Sequence, residues 1–331
     1  MLLHLDITNA FNSISRSQSL STLFLLPQFD LLWRLTHWCY GLQSDLVIQD
    51  SAGVQHLIPS LTGVKQGDCL GSFLFAITIH PLLLPFSFVH NLALVSYLDD
   101  INIIAPPDIT LSTFRKLQSS LSTLNLHINF SKTFLLLPSS GINKPLFTTH
   151  LPRLSSAGIP HNNFHINSCS LFGSFISFDY SMLTPLISNN LLQLQSFTSF
   201  LTHPSMPKQL ALLFFRLHYL ASPMHLLRTI PPSIISPLLS TFDSHSLNTY
   251  QTILDLPHFP YVPASNTNPS PSPFLEASLT VCLGFAAGGM GITRLSDVSH
   301  AAYCSAFATL ASLKGFYSFI FIILQLSLLL L

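Results

Sequence analysis

The chain has few charged residues for its size. Only 8% of its 331 residues are Asp, Glu, Lys or Arg, whereas an average soluble domain has about 25%. The 13 basic and 13 acidic side chains cancel, so the formal net charge is zero and the pI is about 7.3. Because domains that bind nucleic acid by themselves usually have a basic surface and a pI above about 9, the composition argues against strong autonomous nucleic-acid binding.

The cysteines form no recognisable disulfide or metal-binding pattern. They are five in number, an odd count, and lie far apart: Cys39, Cys69, Cys169, Cys282 and Cys304. None of their spacings matches a zinc or redox motif, which indicates reduced, mostly buried thiols. The apolar start of the chain does not read as a secretory signal, since Asp6, Asn9 and Asn12 interrupt it. We therefore expect an intracellular protein, nuclear or cytoplasmic.

Short strands alternate with helices in the first half of the chain. A strand over 2–5 ends on Asp6. A core helix is predicted over 28–41 from apolar residues at helical spacing: Leu31, Leu32, Leu35 and Trp38. Further predicted elements are a hairpin of strands 45–49 and 54–58, helices over 73–84 and 111–124, and strands over 126–130 and 133–137. This order is typical of an α+β domain in which helices pack on an antiparallel sheet.

Two adjacent carboxylates, Asp99 and Asp100, lie between the apolar runs 92–95 and 101–104. Strand-forming residues on both sides predict a hairpin with the two acids at its tip. Such a pair suits a divalent cation and would be costly to bury without one. Taken alone, however, the pair favours a solvated turn, because Asp is among the commonest turn residues.

A glycine-punctuated loop over 62–72 leads into the helix 73–84. Glycines before a helix allow the backbone to approach a ligand closely, and a helix N-terminus favours an anionic one. As an isolated signal for phosphate binding the loop is weak.

The second half of the chain has fewer distinctive patterns. A short hairpin is predicted over 168–178, and proline-interrupted helices follow over 183–256. Residues 257–273 are rich in Pro and Ser and read as a linker. The last sixteen residues, 316–331, are almost entirely apolar, while a bilayer span needs roughly 20 residues. Three interpretations of this tail stay open: a membrane anchor, a buried helix, and a translated accident after a damaged end.

Four stretches carry a combined signal. In chain order they are LDITNAFN at 5–12, GVKQGD at 63–68, YLDD at 97–100 and NFSKT at 129–133. Together they resemble consecutive palm motifs of reverse transcriptases of non-LTR (LINE-type) retrotransposons. Each motif alone is weak, and their order and spacing make the combination specific. The resemblance is strong over 1–137, extends to a primer-gripping hairpin at 171–174, and is faint beyond.

The resemblance implies an RNA-directed DNA polymerase that transfers nucleotides with two Mg²⁺ ions, or with Mn²⁺ in their place. By resemblance, Asp6 and Asp99 bridge the metals and Asp100 is a weaker third ligand. Lys132 would protonate or neutralise the leaving pyrophosphate, although taken alone it fits a solvated lysine in a turn. The partners implied are an RNA template with a DNA primer and dNTPs, and no specific protein partner is indicated.

Three further residues match the nucleotide site of this family. Phe11 lies where the family has an aromatic floor under the incoming sugar, which would favour deoxynucleotides. On the bare sequence, however, Phe11 is better interpreted as a core residue of the helix that follows Asp6, since the chain contains 27 Phe residues. Gln66 and Gly67 match the loop that lies against the incoming nucleotide and the template.

The fold class implied is α+β, with a polymerase palm-like antiparallel sheet, helices packed on one face, and a mostly helical C-terminal region. The predicted segments are a palm over 1–180 without its fingers, a thumb-like region over 181–256, the linker 257–273, a helical segment over 274–315 and the apolar tail 316–331.

Departures from the family pattern limit this prediction. Cys69 and Ser72 stand where the family usually has prolines, and Met1 lies only five residues before Asp6. We therefore expect this chain to lack the basic fingers and any endonuclease domain, and to be impaired or inactive because phosphoryl transfer depends on positioning and electrostatics. The alternative hypothesis is a non-enzymatic retroelement remnant, membrane-associated through 316–331.

Overall fold

A computed structural model of the protein describes residues 1–65, 67–257, 281–282 and 290–312. The chain divides into two units, Met1–Ile166 and Asn167–Leu331. The predicted hairpin at 168–178 groups with the second unit. The predicted linker beyond Pro257, the segment 283–289 and the tail 316–331 lie outside the described residues, so the predictions made for them remain predictions.

The first unit contains strands and helices in alternation. Its strands are β1 (Leu2–Leu5), β2 (Ser44–Gln49), β3 (Gln55–Ser60), β4 (Ala93–Tyr97), β5 (Asp100–Ile104), β6 (Phe134–Leu137) and β7 (Phe164–Ile166). Its helices are α1 (Ala10–Ser13), α2 (Arg16–Phe24), α3 (Asp30–Tyr40), α4 (Cys69–Leu83), α5 (Pro107–Ser122) and α6 (Pro145–Ser156).

Five of these strands form one sheet in the order β4-β5-β1-β6-β7. All neighbours are antiparallel except β6 and β7, which run parallel. Strands β2 and β3 pair with each other as a separate hairpin. An antiparallel-dominated sheet combined with many helices confirms the predicted α+β class.

The central strands of the sheet supply the core of the first unit. Leu3 and Leu5 of β1, Ile101 and Ile103 of β5, and Leu135 of β6 are fully buried. Helix α5, which includes most of the helix predicted over 111–124, packs into the same cluster, since its Phe114, Leu117 and Leu121 are fully buried there. Their burial fixes β1 and β5 side by side.

Helix α3 forms where it was predicted, but the prediction that it is a core helix is wrong. Leu31 is 97% exposed, Trp38 80% and Leu35 49%. The face of α3 that packs onto the protein carries Thr36 and Tyr40 instead. Periodicity shows which residues share a face of a helix, but it does not show whether another element covers that face.

The segment 126–130, predicted as a strand, is not a regular strand. It meets the chain after β1 through a single antiparallel bridge between Ile7 and Ile128. The backbone N–H of Thr8 donates to the carbonyl of His127, 2.8 Å away. The segment therefore lies beside the residues that follow β1, although its strand geometry is interrupted.

The second unit is mostly helical, as predicted. It contains the hairpin β8 (Ser168–Leu171) and β9 (Ser174–Ser177), followed by helices α7 (Leu183–Ser196), α8 (Thr198–Leu201), α9 (Lys208–Phe214), α10 (Met224–Thr229), α11 (Pro232–Ile253) and α12 (Leu295–Ser312). Asp243 of α11 is buried and accepts hydrogen bonds from the backbone N–H groups of Leu295 and Ser296. This carboxylate satisfies otherwise unpaired groups at the start of α12.

Two helical stretches, Cys69–Phe88 and Lys208–Thr229, are long and apolar enough to cross a membrane by length and composition. Core helices of water-soluble proteins meet the same criterion, and 33% and 39% of the two stretches are buried inside the protein. The observation is therefore weak support for a membrane span.

Candidate active site

Two of the predicted metal ligands meet at one end of β1 and β5. In the antiparallel pairing of these strands, Leu5 lies opposite Ile101. Asp6 follows Leu5 and Asp100 precedes Ile101, so the two carboxylates continue the same register. Both residues are partly exposed. Strand pairing thus joins acids that are far apart in the sequence.

Asp99 lies in the turn between β4 and β5. The strands pair as far as Tyr97 with Asp100, which leaves Leu98 and Asp99 as the turn residues. Leu98 has a φ of +56°, in the left-handed region that bulky residues rarely adopt. Its side chain packs against the core, and its carbonyl accepts a hydrogen bond of 3.0 Å from the Ser96 hydroxyl. These contacts hold the acidic tip in a defined conformation.

Lys132 reaches the same place from the turn before β6. The backbone N–H of Asn129 donates to the carbonyl of Asp6 at 2.8 Å, and the Asn129 side chain accepts from the N–H of Ser131 at 3.2 Å. This turn brings Lys132 Nζ to 3.8 Å from Asp6 Oδ1. The Lys132 side chain is 69% exposed and that of Asp6 18%, so the amine can also reach solvent or a bound anion.

Asn163 braces the Lys132 turn and was missed by the sequence interpretation. Its side-chain amide donates to the carbonyls of Phe130 at 3.2 Å, Ser131 at 3.1 Å and Thr133 at 2.9 Å. An asparagine 31 positions beyond the lysine offers no sequence signal for this role, because the contact depends on the return of the chain to the sheet.

The end of β1 and β5 that carries Asp6 and Asp100, with Asp99 in the adjoining turn, forms an acidic edge. His4 supports this acidic edge from inside the sheet. Its Nε2 lies 3.6 Å from Asp100 Oδ1, and its Nδ1 lies 3.0 Å from the side-chain oxygen of Asn102. His4 is two residues before Asp6 and so shares its face of β1. The two-residue spacing between His4 and Asp6 could have indicated that His4 lies near the acids. The sequence analysis, however, treated His4 only as part of an apolar strand.

The charges of the site act on one another. Burial raises the pKa of the Asp100 carboxyl above its ordinary value, and the neighbouring charges act in both directions. His4 and Lys132 lower this pKa, whereas the Asp99 and Asp6 carboxylates raise it. Like charges that are close disfavour ionisation, so the contributions of Asp99 and Asp6 add to the effect of burial on Asp100.

The donor chemistry of the three acids fits a hard divalent cation, which prefers carboxylate oxygens. Such a cation would relieve the mutual repulsion of the three carboxylates. Within the described parts of the chain, however, no three His, Cys, Asp or Glu side chains converge into a complete ligand set. Asp6 contacts Lys132 and Asp100 contacts His4 instead.

Phe11 lies in α1, directly after the acidic edge. Its ring stacks on Phe75 of α4, with centroids 4.9 Å apart and the planes inclined at 21°. The Phe11 side chain is only partly buried, so both predicted roles, core residue and aromatic floor, agree with its position. Its carbonyl accepts a hydrogen bond from Val64 N–H at 2.6 Å, which ties the glycine loop to α1.

Gly63 is required where the glycine loop passes α1. Its φ is +73°, and a Cβ atom there would lie 2.4 Å from backbone atoms of Asn12. Gly67 also has a positive φ, +85°, but open space surrounds it and the residue is exposed. Gln66, the remaining residue predicted for nucleotide binding, lies outside the described residues.

Arg16 anchors the start of the glycine loop. Although it is basic, it is buried. Its Nε donates to the Gly63 carbonyl, and its Nη1 and Nη2 donate to the Ser60 carbonyl and hydroxyl, each at 2.7 Å. Three hydrogen bonds from one guanidinium fix the backbone between β3 and the loop.

Tyr40 anchors the end of the same loop. Its hydroxyl donates to Asp68 Oδ2 and accepts from Lys65 N–H at 3.2 Å. Burial, together with the hydrogen bond to Asp68, raises the pKa of Tyr40 to about 12, and this hydrogen bond lowers the pKa of Asp68. Asp68 also caps α4 by accepting from Leu70 N–H at 3.0 Å. Neither Arg16 nor Tyr40 was predicted as a site residue, because periodicity does not reveal which polar side chain faces inward.

The part of the chain that contains this site is similar to known proteins. A profile described as reverse transcriptase (RNA-dependent DNA polymerase) matches residues 1–163. The retrotransposable element SLACS 132 kDa protein of Trypanosoma brucei gambiense is 29% identical over 130 residues. The match covers 39% of this chain and 11% of that protein, so the chain spans about a tenth of its relative's length.

Solved telomerase structures are also similar to the chain. The apo enzyme from Candida tropicalis matches 76% of this chain and 46% of its own, with a TM-score of 0.39 and 13% identity. Telomerase from Candida albicans with a fragment of telomeric RNA matches 77% of this chain and 45% of its own, with a TM-score of 0.38 and 13% identity. Scores of this size do not establish a shared overall fold.

The family predicted from the four motifs is confirmed by the profile match and by the retrotransposon relative. The acidic edge, Phe11, the glycine loop and the Lys132 turn all lie within the matched region. Residues 1–163 are a reverse transcriptase domain of the non-LTR retrotransposon type.

Proposed function

We propose that the acidic edge of β1 and β5 is the centre of an RNA-directed DNA polymerase that extends a DNA primer on an RNA template. The observation that carries the proposal is the register of β1 and β5, which continues to Asp6 and Asp100, with Asp99 in the adjoining turn. Nucleotidyl transfer needs oxygen ligands for divalent ions at the reacting phosphate, and this edge supplies carboxylates from separate parts of the chain.

Asp6, Asp99 and Asp100 would hold two Mg²⁺ ions, or Mn²⁺ in their place. When bound, such ions activate the attacking 3′ hydroxyl and stabilise the leaving pyrophosphate. Burial raises the pKa of Asp100, the Asp99 and Asp6 carboxylates raise it further, and His4 and Lys132 offset part of that rise. The flexible amine of Lys132, near Asp6, would neutralise or protonate the pyrophosphate.

The incoming nucleotide would lie over the glycine loop. The half-buried ring of Phe11, backed by Phe75, would form the floor under the sugar and disfavour a 2′ hydroxyl. Gly67, with open space around it, would let the nucleotide and template approach the backbone, with Gln66 beside them. Arg16 and Tyr40 would keep this loop in position.

We further propose that activity is impaired. With only 13 Lys and Arg residues in the chain, neutralisation of phosphates on a primer-template would be limited, so the affinity gained from counterion release would be weak. A non-enzymatic remnant is the competing hypothesis. It is supported by the contacts of Asp6 with Lys132 and of Asp100 with His4.

Primer extension on poly(rA)/oligo(dT) tests the proposal with the purified full chain. We expect slow extension that requires Mg²⁺ or Mn²⁺ and falls to background in Asp99→Asn. The matched control is Asp108→Asn, which removes an exposed carboxylate in the first turn of α5 and should leave extension unchanged.

A Mn²⁺ titration followed by electron paramagnetic resonance gives a second readout, independent of turnover. Binding by the unsubstituted chain and its loss in Asp6→Asn are expected. If the chain neither extends a primer nor binds Mn²⁺, the remnant hypothesis stands and the polymerase proposal fails. Fast extension with tight binding of the primer-template would contradict the proposed impairment alone.

A further inference from the structure

The β2–β3 hairpin is apolar on both faces and exposed on both faces. Leu46 and Ile48 of β2 share one face with Ile58 of β3, while Val47 and Leu57 lie opposite each other on the other face. These five side chains are between 45% and 66% exposed. An isolated two-stranded hairpin is only marginally stable in water, and exposed apolar surface of this kind usually marks an interaction site. Both points favour a partner for this hairpin.

The two edges of the hairpin differ in their capacity to pair. Among the described residues, β2 and β3 pair only with each other, so each strand has one free edge. Strand β3 contains Pro59, which has no N–H to donate to a new neighbour. Strand β2 contains no proline and offers a full set of backbone donors and acceptors. The edge of β2 is therefore the one suited to accept another strand.

The sequence of β2 is complementary to itself. We propose that β2 pairs antiparallel with β2 of a second copy of this chain, about a two-fold axis at Val47. In that register Val47 lies opposite Val47 of the second copy, Leu46 opposite Ile48, and Asp45 opposite Gln49. Apolar residues meet apolar ones, and each carboxylate meets an amide. A two-fold interface requires this reciprocity, in which residue i contacts j and j contacts i.

The charge distribution favours this register. Asp45 is the charged residue of β2, and the axis at Val47 keeps the two Asp45 side chains at opposite ends of the interface. Shifting the axis to a point between Leu46 and Val47 would place Asp45 opposite Ile48, an unfavourable pairing. The dimer would be a four-stranded sheet in the order β3-β2-β2-β3, with enough strands and apolar surface for independent stability.

A symmetric disulfide tests the register in the full chain. Val47→Cys places two thiols opposite each other across the axis, so mild oxidation should produce a covalent dimer. Leu57→Cys is the matched control, since Leu57 pairs with Val47 inside the hairpin and has similar exposure, yet lies away from the axis. The unsubstituted chain, with exposed Cys69 and Cys304, gives the background.

Sedimentation equilibrium tests the association without cross-linking. The unsubstituted chain should dimerise reversibly, and Val47→Lys should weaken dimerisation roughly tenfold because two like charges then lie opposite each other. Leu57→Lys should weaken it less. A chain that is monomeric at all concentrations would overturn the proposal. So would equal cross-linking of the Val47→Cys and Leu57→Cys variants, which indicates face-to-face stacking, or a monomer that floats with phosphatidylcholine vesicles, which indicates a lipid partner.

Discussion

Two β-hairpins of the reverse transcriptase unit, β4–β5 and β2–β3, have similar lengths but opposite surroundings. Strand β5 lies between β4 and β1, and its Ile101 and Ile103 are fully buried. Strands β2 and β3 have no further strand beside them among the described residues, and Ile58 is 45% exposed. Local sequence predicts both hairpins, whereas neighbouring elements determine which of them becomes core.

The acidic tips of the two hairpins differ as well. At the tip of β2–β3, one oxygen of Asp50 accepts from the backbone of Ala52 and Val54, each at 2.9 Å, and the other contacts His56. These bonds lower the pKa of Asp50 and complete an ordinary turn. At the other tip, Asp99 accepts no hydrogen bond within the described parts of the chain, and the pKa of Asp100 is raised. Asp50 thus stabilises its own turn, whereas Asp100 contacts His4 of the neighbouring strand β1.

The largest expected effect is a difference in stability between two isoleucine-to-alanine variants, one in each hairpin. Ile103→Ala should lower the free energy of unfolding by about 2–5 kcal/mol, because it leaves a cavity in the core. Ile58→Ala should change it by less than about 0.5 kcal/mol in the monomer. Urea titration at low protein concentration, followed by circular dichroism, measures both. Similar losses for the two variants would mean that the β2–β3 hairpin is covered in solution.

A smaller effect is expected from Arg16, which ties the exposed hairpin to the core through Ser60 and Gly63. Arg16→Met keeps the length of the side chain and should cost about 2 kcal/mol, since hydrogen bonds from a charged group are lost in a buried site. Arg34→Met, at an exposed position of α3, is the control and should be nearly neutral. The same urea titration measures both variants. Equal changes in the free energy of unfolding for the two variants would show that Arg16 does not hold the hairpin in position.

The smallest effect, about 1 kcal/mol, is expected for Tyr40→Phe, which removes the hydrogen bond to Asp68. The folded-state pKa of Asp68 lies below its ordinary 3.8, so this stabilisation is present above that pH and lost as the pH falls further. The folded-state pKa of Tyr40 is raised from 10 to about 12, so the stabilisation is present below pH 10 and lost as the pH rises through 12.

The stability difference between the unsubstituted chain and Tyr40→Phe should therefore be constant near neutral pH and shrink at both extremes. Tyr180→Phe, an exposed tyrosine in the second unit, serves as the control. A difference that stays the same from about pH 3 to about pH 7 would show that the Asp68 contact does not stabilise the loop.

Much of the site could be predicted from sequence because its residues lie in short motifs. Asp6, Asp99, Asp100 and Lys132 were located in this way, and the structure places them at one edge or beside it. Their assignment as metal ligands and as a proton donor remains a proposal. The residues that brace the site, His4, Arg16, Tyr40 and Asn163, were not predicted because each acts on a segment distant in sequence.

The sequence by itself determined the family of residues 1–163, the α+β class and the positions of the hairpins, because motif spacing and hydrophobic periodicity are local properties of the chain. Only the tertiary structure decided which apolar faces are covered. It left Leu31, Leu35 and Trp38 of α3 exposed and turned Tyr40 inward, because burial depends on which elements the rest of the chain brings alongside. The same physical reason separates the two hairpins: β5 gained β1 as a neighbour, and β2, among the described strands, kept a free edge.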